Sequence, residues 1–444
     1  MFTCIKLKNF KSFKDVSIDF CGKKNEAKNL AIIYGINGSG KTTIVQAFLL
    51  LKKTIETMEV RGVLNDLLDE KIAPPADFPI KQDAMFKMLK ARFSMNGIES
   101  IIHNYKMVDS VDNMSVEYQF VINGNVGSYY IEMDDTSIVK ERLEYKLSKR
   151  RGCYFNIEDD EININSKIFE SKDFYNLIHK QAKMYWGKHS LLSILSFEMT
   201  DKSDTFINSN ISNNLMDVLL HLSSISIKSA SVKDNNSGEN IIENLQRGKV
   251  KKTEEKLLDQ VEQIIDSIFR SIFKDVVKAF YQRHIDDEKI GYSLYLRKKV
   301  EDKIFDIDFS LESSGTKEIL RMIPSFVAAA SGKCVVIDEY GMRIHDVLSS
   351  KLLEAVANQI NGQLIITTHN TMIMECAGLP PESLYFILDD KTLKKSVKCV
   401  SEIEERLHPN YNYRTRYLTN DLYQNSLQEI EGGVDLSGLV SLFR

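Results

Sequence analysis

The sequence lacks the features that mark several protein classes. Its six cysteines form no C-x-x-C pair and its eight histidines show no ligand spacing, so neither a disulfide framework nor a zinc site is indicated. No apolar run approaches the length of a membrane-spanning helix, and the chain opens with no apolar segment behind a basic head. We therefore expect a cytoplasmic protein with reduced cysteines and no membrane contact.

An excess of one charge is also missing. The formal net charge is -4, whereas general nucleic-acid binding is typical of strongly basic sequences. Contact with DNA or RNA would therefore need a local patch. Hydrophobic residues make up 43% of the chain and charged residues 27%, the balance of an ordinary globular protein. A length of 444 residues allows a large domain with a substantial insertion.

The most informative segment follows a short apolar strand at residues 30–34. Residues 35–42 match G-x-x-x-x-G-K-[ST] in full, between that strand and a helical pattern. The glycines let backbone N–H groups point at phosphates, Lys41 supplies a positive charge, and the Thr42 hydroxyl is a magnesium ligand. The residues predicted to contact the nucleotide are Gly35, Asn37, Gly38, Ser39, Gly40, Lys41, Thr42 and Thr43.

Two later apolar strands end in polar side chains. The strand at residues 334–337 leads into Asp338 and Glu339. Asp338 suits the coordination shell of magnesium, and Glu339 suits the general base that activates the attacking water. Adjacent acids at the end of a buried strand also indicate a nearby cation, because unpaired buried carboxylates are costly. The next strand ends at His369, which we expect to contact the γ-phosphate or hold the water.

A second anion site is predicted where another helix begins. Residues 313–317 read Ser-Ser-Gly-x-Lys, and a hydroxyl, a glycine amide and a helix N-terminus together attract an anion. One nucleotide cannot easily use both anion sites of one chain, so we expect this loop to close over ATP bound to a second copy. The alternative is a plain serine N-cap. The predicted contacts are Ser313, Ser314, Gly315 and Lys317.

Outside these motifs the sequence pattern changes along the chain. Residues 86–132 predict β-structure, with hairpin turns at Asn96-Gly97 and Asn123-Gly124. Residues 223–240 predict a loop, and an amphipathic pattern predicts one long helix from Thr253 to about Phe280. Strands that alternate with helices near both ends of the chain predict a parallel sheet covered on both faces.

With these motifs the chain resembles the ABC ATPase superfamily. More closely, it resembles the compact SMC-like ATPases of prokaryotic anti-phage defence and abortive-infection systems, which are related to the ATPase half of overcoming-lysogenization-defect nucleases. The matching residues are Asn9-Phe10-Lys11-Ser12-Phe13, residues 35–42, residues 313–317, Asp338-Glu339 with His345, and Thr368-His369.

The resemblance implies an α/β fold: an ABC-type head with a mixed, mainly parallel sheet, an antiparallel β subdomain and a helical insertion. It makes residues 35–42 the Walker A loop, 313–317 the signature loop, Asp338-Glu339 the Walker B pair and His369 the switch histidine, with His345 in the D-loop. ATP and Mg²⁺ are the implied cofactors, and an ATP-sandwiched dimer is the implied assembly. Residues 340–346 depart from the usual D-loop pattern, and Gln82 is a weak candidate for the Q-loop.

On this basis we expect four segments. Residues 1–164 form the N-terminal half of the ATPase domain with the β subdomain, 165–300 the helical insertion, 301–400 the C-terminal half and 401–444 a tail. Interleaved aromatic and basic side chains in the tail either stack on bases or pack against the core or a partner subunit. They are Tyr411, Tyr413, Arg414, Arg416, Tyr417 and Tyr423.

The expected function is that of an ATP-hydrolysing sensor or scaffold in an anti-phage defence system. It would form dimers, or higher assemblies of dimers, and control a separate effector such as a nuclease or toxin. One alternative is an SMC-like DNA-repair or DNA-binding ATPase, which would need a long coiled coil or a basic groove. A self-contained nuclease is another, but few residues follow His369, and Asp389-Asp390 fit a turn better than a metal site. A transporter ATPase lacks an evident coupling surface.

Overall fold

The structure is a computed structural model that describes residues 1–22, 26–68, 97–200, 202–229, 244–285, 288–390, 392, 394–403 and 412–419. Gln82, Asn96, Tyr411 and Tyr423 lie outside the described residues. Among those that are described, no helix is both long and apolar enough to cross a membrane.

The strands form three sheets. In chain order they are β1 (Phe2–Phe10), β2 (Phe13–Asp19), β3 (Leu30–Tyr34), β4 (Met114–Ile122), β5 (Asn125–Met133), β6 (Ile138–Lys146), β7 (Arg151–Glu158), β8 (Glu161–Ile164), β9 (Ser226–Lys228), β10 (Arg247–Lys251), β11 (Val276–Ile285), β12 (Lys289–Val300), β13 (Lys303–Asp308), β14 (Cys334–Ile337), β15 (Gln363–Thr367), β16 (Leu384–Asp389) and β17 (Lys395–Cys399).

Helices connect and cover the sheets. They span Lys41–Leu68, Ile98–Tyr105, Lys172–Tyr185, Leu191–Met199, Asp204–Asn210, Asn213–Ser223, Glu255–Ile272, Ser314–Ala330, Asp346–Ala357, Val400–Ile403 and Tyr413–Leu418. The helices between residues 172 and 223 carry the predicted helical insertion, which then continues into a separate sheet.

The central sheet has the strand order β17-β16-β3-β15-β14-β9. Five of these strands run parallel to one another: β16, β3, β15, β14 and β9. The edge strand β17 is antiparallel to β16. Every residue of β3, β14 and β15 is buried, as expected for apolar strands covered on both faces. The prediction of a mixed, mainly parallel sheet is confirmed.

A second, antiparallel sheet has the order β2-β1-β4-β5-β6-β7-β8. Its strands alternate buried and partly exposed residues, so one face lies on the core. Asn123 and Gly124 both have positive φ, 49° and 72°, and they form the predicted turn between β4 and β5. The antiparallel β subdomain is thus confirmed, and its core is continuous with that of the central sheet.

The third sheet has the order β10-β12-β11, with β13 also paired to β12, and it corrects one prediction about the insertion. The long helix that we expected to reach Phe280 ends at Ile272, and Val276–Ile285 forms β11, antiparallel to β12. The apolar residues of this stretch fit the helical period of 3.6 residues and the strand period of two residues about equally well. The hydrogen bonds to β12 along the whole stretch favour the strand. Helix Glu255–Ile272 instead packs across one face of the sheet through Leu258, Ile265 and Phe269.

Two further predictions differ from the structure. Residues Ile98–Tyr105 form a helix and not a strand, because Ile98, Ile101, Ile102 and Tyr105 share one buried helical face. The loop predicted at 223–240 contains β9, which pairs with β14, and residues 230–243 lie outside the described residues.

The described part of the tail packs against the core. Tyr413 is buried, and the Tyr417 ring lies 5.7 Å from the ring centroids of both Tyr34 and Phe386. The Arg414 guanidinium donates to Glu375 at 3.1 Å. These contacts favour core packing over base stacking for Tyr413, Arg414 and Tyr417.

Candidate functional site

One cavity of about 670 Å³ gathers residues from distant parts of the chain. It lies beside the loop that joins β3 to helix Lys41–Leu68. Its lining residues are Lys11, Ser12, Asn37, Gly38, Gly40, Lys41, Thr42, Thr43, His103, Asn104, Lys106, Val108, Glu339 and His369. The structure therefore brings most of the predicted phosphate-loop residues together with Glu339 and His369.

The loop at residues 35–42 needs its glycines. Gly38 and Gly40 have φ of 79° and 117°, in the left-handed region that favours glycine. A Cβ on Gly40 would lie 2.6 Å from the Phe13 ring, so glycine lets the loop pack against the turn between β1 and β2. A Cβ on Gly35 would collide with the Ser39 hydroxyl. This close packing fixes where the backbone amides of the loop lie.

Lys41 begins the helix that follows the loop. Its amine donates to the carbonyl oxygens of Gly35 at 2.7 Å and Ile36 at 3.0 Å. Burial lowers the pKa of Lys41 to about 8, although the carboxylates of Asp338 and Glu339 act in the opposite direction. The buried Ser39 hydroxyl in the same loop has no hydrogen-bond partner among the described atoms. The loop thus holds polar groups that a phosphate would satisfy.

Asp338 follows β14 and is held by contacts from the two neighbouring strands, β15 and β9. The Thr367 hydroxyl at the end of β15 donates to Asp338 Oδ1 at 2.6 Å and accepts from the Glu339 amide at 2.9 Å. The Ser229 hydroxyl lies 3.3 Å from Asp338 Oδ2, and the Asp338 amide donates to the Lys228 carbonyl oxygen at 2.8 Å. Asp338 does not line the cavity itself, but its charge acts on Lys41.

Glu339 and His369 face the cavity from the ends of β14 and β15. Glu339 has φ of 55°, a strained conformation for a side chain of its size and one that concentrates at functional sites. Burial lowers the pKa of His369, the charge of Lys41 lowers it further, and the two carboxylates oppose this shift. The imidazole is therefore mainly neutral at pH 7.

Several residues of the cavity were not predicted as site residues, although Lys11 and Ser12 belong to the segment of residues 9–13 that carries the family resemblance. Lys11 and Ser12 come from the turn between β1 and β2, where the Lys11 amide donates to the Tyr105 carbonyl oxygen at 2.8 Å. His103 and Asn104 lie on the helix that the sequence pattern placed in a strand. The polar sequence at residues 103–106 was the only available signal, and it did not indicate proximity to residues 35–42.

The signature loop lies outside the cavity. Ser313 is the N-cap of helix Ser314–Ala330, and its hydroxyl accepts from the Thr316 amide at 3.1 Å. A Cβ on Gly315 would lie 2.7 Å from the Arg343 carbonyl oxygen, so the loop packs closely on the segment before helix Asp346–Ala357. Ser313 and Ser314 are exposed. The N-cap is therefore present, and the predicted contact of Ser313, Ser314, Gly315 and Lys317 with a second copy stays a prediction.

Comparison with known proteins gives one family. Residues 30–375 match the family model described as "AAA domain, putative AbiEii toxin, Type IV TA system". No curated protein matches the chain.

Many solved structures are similar to this chain, and two of them are head domains that are each 14% identical to it. The SMC head domain from Thermotoga maritima has a TM-score of 0.39 over 90% of this chain and 98% of that chain. The Smc head domain with an extended coiled coil bound to the C-terminal domain of ScpA, derived from Pyrococcus furiosus, has a TM-score of 0.37 over 90% and 97%.

Proposed function

The chain belongs to the family described as "AAA domain, putative AbiEii toxin, Type IV TA system", a family of P-loop ATPases, and we propose that it binds and hydrolyses ATP in the cavity beside residues 35–42. One observation carries this proposal: Lys41, Glu339 and His369 come from three separate segments and line the same cavity. An amine that binds phosphate, a carboxylate that can act as base and an imidazole that can hydrogen-bond to water or phosphate suit phosphoryl transfer to water.

The residues present fit a magnesium–triphosphate. Among the described residues, the Lys41 amine donates to two carbonyl oxygens of its own loop and the buried Ser39 hydroxyl has no hydrogen-bond partner. Thr42 and Asp338 are the oxygen donors that would hold Mg²⁺. When bound, the ion neutralises charge on the phosphate oxygens. Lys41 would contact the β- and γ-phosphates and the backbone amides of residues 38–42 would surround them.

Glu339 is the proposed general base. Its carboxylate faces the cavity, and its backbone amide donates to the Thr367 hydroxyl. The position of the carboxylate therefore depends on the end of β15. We assign to Glu339 the orientation and deprotonation of the attacking water, and to His369 a hydrogen bond to that water or to the γ-phosphate.

A Glu339→Gln substitution tests this assignment. The amide keeps the shape of the side chain but cannot take a proton, so ATP hydrolysis should fall at least about 100-fold while ATP binding persists. Phosphate release and calorimetric ATP binding are the measurements. Glu301→Gln is a matched control, because Glu301 also has positive φ, 53°, and does not line the cavity. Hydrolysis at the native rate by Glu339→Gln would remove Glu339 from this role.

We further propose that the chain acts as the sensor or scaffold of an anti-phage defence system and that it controls a separate effector. The toxin–antitoxin description of the family supports this role. The Asp390 carboxylate accepts from the amides of Thr392 and Lys394 and so shapes a turn, which weighs against the alternative of a nuclease metal site at Asp389-Asp390. Isolation of the complex from cells under phage challenge, with the effector identified by mass spectrometry, is the test.

A further inference from the structure

The third sheet has one face covered by a helix and, among the described residues, one face whose side chains are exposed or only partly buried. Helix Glu255–Ile272 covers the face that carries Ala279, Tyr281, Leu294 and Leu296. Alternation along the strands directs the intervening residues to the opposite side. We call this side the open face. On this face, Phe280 of β11 lies opposite Tyr295 of β12, and Lys278 lies opposite Arg297.

Cations are concentrated on the open face. Strand β10 contributes Arg247, Lys249 and Lys251, all exposed. Strands β11 and β12 contribute Lys278, Arg297 and Lys299. In the described parts of these four strands, the acidic side chains of this face are Asp306 and Asp308 on β13. Asp306 is held by Arg297 through two hydrogen bonds of 2.7 and 2.9 Å. The face is thus strongly positive on a chain whose net charge is -4.

Two aromatic rings lie among these cations. The Phe280 and Tyr295 rings are stacked, with centroids 5.9 Å apart and planes 28° apart. The Arg297 guanidinium lies 5.3 Å from the Phe280 centroid, and the Lys278 amine lies 5.9 Å from it. Both rings are only partly buried, although the sheet offers a complete apolar core on its other side. Paired aromatic rings between cations on an open sheet face form a stacking platform with phosphate contacts around it.

We propose that the open face binds single-stranded nucleic acid. Unpaired bases can stack on Phe280 and Tyr295 while the lysines of β10 contact phosphates. The bases of a duplex are stacked on one another and cannot reach the rings, so the pair of rings favours a single strand over a duplex. None of these residues lines the ATP cavity, so the proposal goes beyond ATP hydrolysis and can fail or succeed independently of it.

The test uses the full chain and fluorescent oligonucleotides of about 20 nucleotides, long enough to cross one such face. The probes are single-stranded RNA, single-stranded DNA of the same sequence, its duplex, and poly-glutamate as a competing polyanion. The ring variant is Phe280→Leu with Tyr295→Leu, which keeps apolar side chains on the sheet. The charge variant is Lys249→Ala with Lys251→Ala. Lys149→Ala with Arg150→Ala, in the turn between β6 and β7, is the matched control.

Binding of a single strand should weaken roughly tenfold or more in the ring variant, with little change in salt dependence. The charge variant should lower the salt slope by about one for each phosphate that no longer has a lysine beside it, and the control should bind like the native chain. Circular dichroism spectra and thermal unfolding like those of the native chain verify the folding of both variants. A preference for RNA or DNA identifies the sugar and supports the proposal in either case. The proposal is overturned by equal binding of duplex or poly-glutamate, by no binding at all, or by native affinity in the ring variant.

Discussion

The Lys41 amine loses its proton at a pH only slightly above neutral. Burial lowers the pKa of this amine to about 8, and its nearest partners are carbonyl oxygens that do not require a full charge. A triphosphate binds the ammonium form and not the free amine. Above pH 8, ATP binding must therefore take up a proton that the free protein has released.

ATP affinity is consequently expected to fall as pH rises through 8. With the amine mostly neutral at pH 9, the affinity should be about tenfold weaker there than at pH 7, since one unit of pH beyond a pKa is a factor of ten. Calorimetric titration between pH 7 and 9.5, in buffers of different ionisation enthalpy, measures both the affinity and the proton uptake.

Lys41→Arg provides the control for this pH dependence. A guanidinium stays charged throughout the range, so the variant should bind ATP with an affinity that does not change with pH, even if its geometry makes binding weaker. If the native chain itself shows a flat profile between pH 7 and 9.5, the amine is not the group that titrates.

At the residue scale, a site can be proposed from the sequence where a motif fixes its own geometry. Residues 35–42 were singled out because strand, turn and helix follow one another there, and Asp338-Glu339 because two acids end a buried strand. Thr367 and Ser229, which hold Asp338, were not assigned a role, because their contacts depend on β9, β14 and β15 lying side by side. A hydroxyl at the end of a strand is too common to predict such contacts.

Among the secondary-structure elements, Glu141 links strand β6 to helix Leu191–Met199. Its fully buried carboxylate accepts from the Leu191 amide at 2.7 Å, the Trp186 indole at 2.8 Å and the Tyr129 hydroxyl at 3.0 Å. Burial raises the pKa of Glu141 to about 7, while these hydrogen bonds act to lower it. Since all these partners are donors, the pocket matches an ionised carboxylate, which is an acceptor only.

Glu141→Gln should therefore destabilise the fold. The amide would turn its N–H₂ group toward donors and leave some of them unsatisfied, at a cost of about 2–4 kcal/mol in the free energy of unfolding. Urea denaturation followed by tryptophan fluorescence measures this loss, because the chain has one tryptophan and it contacts Glu141.

Glu144→Gln on the same strand is the comparison. Glu144 is paired with Arg142 and Arg151, and these two cations are about half exposed, so its substitution should cost under about 1 kcal/mol. Equal losses in the two variants would show that the buried donors do not distinguish a carboxylate from an amide.

Whether a segment forms a helix or a strand was predictable where the spacing of its apolar residues fits one of the two and not the other. The fully buried strands β3, β14 and β15 were predicted correctly, whereas the stretch after Ile272 has apolar residues that suit a helix and a strand alike. Only pairing with β12, which lies later in the chain, decides between them. The open face could not be predicted for the same reason, since Phe280 and Tyr295 meet only through that pairing.

At the scale of the whole molecule, the ATP cavity is made by sheet order. Strand β15 lies between β3 and β14, so the strand ends that carry Lys41, His369 and Glu339 lie at the same edge. The resemblance to ABC ATPases implied this arrangement, and composition alone could not have done so. The signature loop lies outside that cavity with Ser313 and Ser314 exposed, which makes an intermolecular role testable.

Two defective variants should complement each other if the site is shared between copies. Lys41→Ala removes the amine that binds phosphate but keeps a normal signature loop, whereas Ser314→Arg blocks the signature loop but keeps that amine. Each variant alone should lack ATPase activity, because every shared site in its dimer has one defective half. Co-expression of the two from one vector, with different affinity tags, gives mixed dimers for measurement of phosphate release.

In a mixed dimer, one of the two shared sites combines the intact phosphate loop with the intact signature loop. Random pairing makes half of the dimers mixed, so the mixture should recover about a quarter of the native rate. Dimers purified through both tags should recover about half, because each has one intact site. Failure of the doubly purified dimers to hydrolyse ATP, or full activity of Ser314→Arg alone, would mean that the signature loop does not complete the site of a partner.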